Sequence, residues 1–268
     1  MKLAPFLVFA CLSSFAFAEP AAKIDVSKLP AQSRMIDDVV VPVPSEIFNV
    51  LDKLGKPNWF AVQRPLNAVA QPIGDQPQIA LLLGTVIAEG FIAVEAEDAE
   101  GVKRIGKSVL NLSKALAVEK EVKARAQAIT DAADKKDWNG VRKELDGALD
   151  DVKQAMTKLN SEALSQLVSL GGWLRGTEAL TTVVTKNYSK DGAELLHQPI
   201  LLDYFDKRIA ALKPKYLNNP VVGKVRKGLL DIRPLVTFTE GAEISEKSVK
   251  EINTITAELV LSIGTKTP

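Results

Sequence analysis

The chain holds one histidine, His197, and one cysteine, Cys11, so any nucleophile–base pair or transition-metal site has very little to draw on. His197 precedes a Gln-Pro step where a helix is expected to end. An imidazole there caps carbonyls or meets the negative end of the helix dipole. Asp203 and Asp206 are close enough in sequence to share a cation with it, but a stable site takes at least three ligands and the spacing offers no third.

Asp37-Asp38 and Asp150-Asp151 are the adjacent carboxylates that acid–base cleavage of a glycoside would draw on. Neighbouring residues on a helix point in different directions, so Asp150 and Asp151 do not converge on one substrate. Gly171-Gly172 and Gly176 lack the lysine and hydroxyl of a phosphate loop, and neither a G-x-G-x-x-G after a strand nor a Cys-x-x-Cys-His occurs. The reading is of a non-enzyme without metal or cofactor. A carboxylate-dependent hydrolase is the last of the alternatives.

Two charges are conspicuous for their surroundings. Glu89 is the lone charge in the apolar run 79–94, and Arg175 is the lone charge in the run 164–177. An unpaired buried charge is severely costly, so the two are expected to be buried partners across the two most apolar helices. Gly90 and Gly176 would let the backbones approach for a bidentate contact. The rival expectation puts both charges on solvent-facing edges, with Arg175 paired locally with Glu178, three residues on.

The elements that must position these groups read as helices. Pro77 suits a first turn, and no further proline occurs until Pro199. Val102, Ile105, Val109, Leu112 and Leu116 repeat at three and four, as do Val118, Val122, Ala126, Ile129 and Ala133, and then Val141, Leu145, Ala148, Val152, Met156 and Leu159. Asp137 is the expected cap between the last two, with Trp138 packing back. Glu119 with Lys123 and Glu121 with Arg125 have the order of solvated i,i+4 pairs.

Further helices are expected at 164–184, 189–198 and 199–212, then from Asn219-Pro220 to before Pro234, and finally from Ser245 or Ser248. A short one is expected from Ser45 to Gly55, after which Trp59, Phe60 and Leu66 pin a proline-broken connector to the core. Glycines 84, 90, 171, 172 and 176 lie inside apolar helices, where each costs up to about 1 kcal/mol. They signal close helix approach, a kink or a small cavity. No fixed repeat period runs through the chain.

The fold class is therefore all-α: an antiparallel multi-helix bundle at 45–268 with an extended, proline-rich arm at 19–44. A minor ribbon is expected between 39–43 and 235–239. Residues 1–18 read as a secretory signal, with Lys2, an apolar stretch and Ala16-Phe17-Ala18 as cleavage site; this is favoured over a lipoprotein anchored at Cys11. Cleavage removes the cysteine, and no transmembrane segment is expected in the remainder. With 34 basic and 33 acidic residues, no basic stripe is evident and nucleic acid is not an expected partner.

The function expected is a soluble, exported protein, periplasmic or secreted, that binds or scaffolds without catalysis. Its partner would be another envelope protein or an apolar small molecule carried between the glycine-containing helices.

Overall fold

The computed structural model describes residues 57–64, 69–237 and 243–266, with the backbone of two short strands at 35–36 and 39–40. The signal, most of the arm, the helix expected at 45–55, Leu66 and the adjacent pair Asp37-Asp38 lie outside them.

The protein is an all-α multi-helix bundle. Helix α1 (Gln76–Glu95) is buried from Pro77 through Val94, with Asp75 as N-cap and Pro77 in the first turn. Helices α2 (Ala99–Ala115), α3 (Glu119–Asp134) and α4 (Trp138–Lys158) follow as an antiparallel meander. Helix α5 (Glu162–Lys186) returns against α1 and closes the ring, so α1 packs on α2, α4 and α5. A helix hidden on all sides has no polar face to keep, which is why the α1 sequence is apolar all round. By length and mean hydropathy α1 would suffice to cross a bilayer, yet every residue of that stretch is buried within the fold.

Four consecutive turns share one geometry. The residues Glu97, Ala117, Lys136 and Asn160 take positive φ of 53°, 61°, 55° and 53°. The next backbone N–H then reaches back five residues: Asp98 to Ala93, Val118 to Ser113, Asp137 to Ala132 and Ser161 to Met156, at 2.8–2.9 Å. This is the Schellman closure of a helix C-terminus, here made without glycine. Asp98 and Asp137 then cap the following helices by accepting from Gly101 N and Gly140 N.

The C-terminal third adds α6 (Lys190–Glu194), α7 (Pro199–Ala210), α8 (Pro214–Leu217), α9 (Pro220–Val236) and α10 (Glu246–Ile263). Helix α10 packs on α5, α9 on α10 and α7 on α9. Trp173 of α5 meets Phe205 of α7 with ring centroids 5.8 Å apart and donates to Gln198 Oε1.

Three expectations need correction here. The ribbon joins Met35–Ile36 (β1) to Val39–Val40 (β2), whereas Leu235 and Val236 are helical. Helix α9 runs through Pro234 because that proline falls in its last turn, where Ile232 and Val236 are still buried. Of the two expected starts of α10, Ser245 is the one used, its side chain accepting from Ser248 N. Phe60 is 64 % exposed, while Trp59 beside it is buried.

Candidate functional site

The centre of the molecule is a contact of backbone on backbone. A Cβ placed on Gly84 would lie 2.0 Å from the Val168 carbonyl, and one on Gly171 would lie 2.0 Å from that of Leu81. Only glycine fits, and α1 and α5 therefore touch along Gly84, Gly171 and Gly172. Gly90 faces Leu145 and Ile105 instead, so it does not bring the charged pair together as expected. The same contact leaves no cavity between these glycine faces.

On the next face of α1 the two lone charges meet. Arg175 Nε donates to Glu89 Oε2 at 2.7 Å, with side chains only 2 % and 6 % exposed. The contact is single rather than bidentate, because Arg175 Nη2 is spent on the Val62 carbonyl at 2.6 Å. Glu89 Oε1 accepts the backbone N–H of Arg64 at 2.7 Å. The pair thus grips both the carbonyl and the amide of the connector that precedes α1.

Arg64 supplies the fork. Its Nε and Nη2 engage Glu178 at 2.6–3.1 Å, and Nη2 also donates to the Ala257 carbonyl of α10. Arg175 Nη1 lies 3.4 Å from the same Glu178, so the local i,i+3 contact exists beside the long-range one. Two cations and two carboxylates tie the connector, α1, α5 and α10 into one neutral cluster. Burial pushes the Glu89 carboxyl up from its ordinary range, against Arg175 and the hydrogen bonds that pull it down.

Beside the cluster lies a cleft of about 250 Å³, lined among the described residues chiefly by Ile73, Leu82, Val86, Val260 and Leu261, with Glu89, Arg175 and Arg64 at one end. Leu261 in its lining is a large apolar side chain left 58 % exposed. The sequence did not indicate this cleft. Arg64 and Ile73 sit in a proline-broken stretch with no period to read, and Leu82, Val86 and Glu89 differ from the Gly84 face only by rotation about α1.

The other chemistry-bearing residues are dispersed. His197 Nδ1 is 2.7 Å from the Val236 carbonyl, a contact no sequence spacing advertises. Asp203 pairs with Arg233, and Asp206 with Arg226 at 2.7 Å, so neither is turned to His197. Among the described residues no cluster of metal-ligating side chains occurs. Asp151 is taken by Arg125, which also pairs with Glu144 across α3 and α4 rather than with Glu121. The chain matches no family model, no curated protein and no solved structure.

Proposed function

We propose that the protein works by binding, and that it holds a small, uncharged, largely apolar molecule in the cleft between α1, α10 and the connector. The observation that carries this is an apolar wall ending in a charge cluster that is already neutralised within the protein. Arg64 and Arg175 face two carboxylates of their own, Glu89 and Glu178, and so leave no net charge for an ionic ligand to answer. Leucine, isoleucine and valine side chains supply the rest. A dry apolar cavity of 150 Å³ holds benzene, so about 250 Å³ suits a molecule on the order of ten non-hydrogen atoms. A hydrogen-bonding end would lie at the Thr85, Gln71 or Arg64 side of the cleft.

The proposed setting is the periplasm or the outside of the cell. It rests on the signal-like residues 1–18. N-terminal sequencing of the protein recovered from its host is expected to begin at Glu19. A start at Met1, or lipid on Cys11, contradicts export by this route.

Native mass spectrometry of the same preparation tests the binding itself. A noncovalent small-molecule adduct that vanishes on denaturation is the expected result. The bare chain mass in every preparation, or a larger protein assembly in place of the adduct, contradicts it; the second result would favour the scaffolding role.

A further inference from the structure

The chain-wide balance of charge conceals a local excess. From Lys207 to Leu230 there are seven cations and no carboxylate: Lys207, Arg208, Lys213, Lys215, Lys224, Arg226 and Lys227. The fold gathers this stretch into one corner, made by the end of α7, the single turn of α8 and the start of α9.

We infer that this corner docks the protein on an anionic lipid surface. The division of labour among its cations supports this. Arg226 is committed to Asp206, Arg233 further along α9 to Asp203, and Arg208 lies over the Tyr204 ring at 5.1 Å. Lys227 pairs with Asp231 at 2.5 Å. Lys207, Lys213, Lys215 and Lys224 are all exposed, and no ion pair is seen for any of them among the described residues. Asp75, at the start of α1, accepts from Asn219 at the start of α9.

Directional recognition of a single phosphate or carboxylate favours the planar fork of arginine. Here the forks are spent inside the protein. What faces outward is four flexible ammonium groups, which suit a diffuse and fluid sheet of negative charge. Tyr216 stands among them, with the Lys215 ammonium 4.7 Å from its ring centre, as an amphipathic ring suited to the headgroup layer. The corner is also joined to the cleft. Tyr216 and Asn219 bond to Gln76 and Asp75, three and two residues past Ile73 of the cleft wall. An apolar ligand leaving the cleft would therefore do so near the docked face, which is the one clause here that rests on the proposed function.

Flotation of the full chain with lipid vesicles tests docking without any knowledge of the ligand. Vesicles of equal parts phosphatidylcholine and phosphatidylglycerol are compared with pure phosphatidylcholine, at low and high salt. The expected result is at least about tenfold tighter binding to the anionic vesicles. High salt and the variant Lys207→Gln, Lys213→Gln, Lys215→Gln, Lys224→Gln should each abolish that preference. The apolar residues near the N-terminus are common to every arm, so the preference and its loss report the lysines. Equal binding to both vesicles, no binding, or an unchanged preference in the variant overturns the inference. Equally tight, lysine-dependent binding to soluble polyglutamate also overturns it, by assigning the corner to an acidic protein. An adduct in native mass spectrometry without vesicle binding leaves the cleft standing and removes only the docking.

Discussion

In the α1–α5 pair the backbones touch and two charges are sealed in, whereas α2, α3 and α4 meet their neighbours through side chains, with charges such as Arg125 paired at the rim. The residues at the first contact are Gly84, Gly171 and Gly172, with Arg175 on Glu89 beside them. At the second, Val109, Leu112, Val122, Ile129, Val141 and Leu145 are fully buried, and Arg125, 35 % exposed at its side chain, spans Glu144 and Asp151. The difference shows two ways of packing a helix: one specified atom by atom, the other by a stripe whose members tolerate exchange at conserved volume.

The same substitution should therefore have opposite signs in the two regions. Gly84→Ala forces a methyl against the Val168 carbonyl and is expected to cost about 4 kcal/mol in chemical denaturation. Gly106→Ala on α2 meets nothing nearer than 3.5 Å and should stabilise by about 0.5 to 1 kcal/mol through helix propensity. Equal effects at the two sites would dissolve the distinction.

The stripe helices were legible because a period of three and four survives in the sequence wherever one face stays wet. The start of α4 was legible too, since Asp137 carries its own capping chemistry, as was that of α1 from Pro77. Their ends were not. The Schellman turns use Glu97, Ala117 and Lys136 where glycine is the usual signal, so no residue type announces the stop. In α1 and α5 the lone charges could be named because each interrupts an apolar run, but rotation about an all-apolar helix leaves no moment to read. That is why glycine 90 was assigned the contact that glycine 84 makes. Arg64, which completes the cluster, came from a connector whose path only the tertiary structure defines.

A smaller effect comes from the turns themselves. Ala117 holds a left-handed φ of 61°, which costs an L-residue on the order of 1 kcal/mol. Ala117→Gly is expected to raise stability by up to about 1 kcal/mol, partly offset by the greater freedom of the unfolded chain. A loss would mean that the Ala117 methyl packs more productively than its backbone is strained.

The pH dependence separates buried from exposed charge by sign. The Glu89 carboxyl is raised above 4.5, chiefly by desolvation. The folded chain then binds this proton more tightly than the unfolded chain, so its contribution to stability falls as pH rises from about 4.5 through the raised value. Asp203 is held below 3.8, chiefly by its hydrogen bond to Arg233. Its contribution is present above 3.8 and is lost as pH falls, and at 39 % side-chain exposure it is small. Denaturation across this range with Glu89→Gln should remove the loss of stability on the alkaline side while leaving the acid limb. An unchanged curve would show that Glu89 titrates alike in both states.

A sealed charge pair holds the connector against the central helices, and a double-mutant cycle on Glu89→Gln, Arg175→Met and the double variant tests this most directly. Arg175→Met should cost roughly 3 to 5 kcal/mol, because it strands the Glu89 carboxylate in the interior, and Glu89→Gln should cost less, because Arg175 keeps Glu178 and the Val62 carbonyl. The double variant should cost clearly less than their sum. Small losses, at most about 1 kcal/mol each and additive, would be those of an exposed pair and would contradict the sealed cluster.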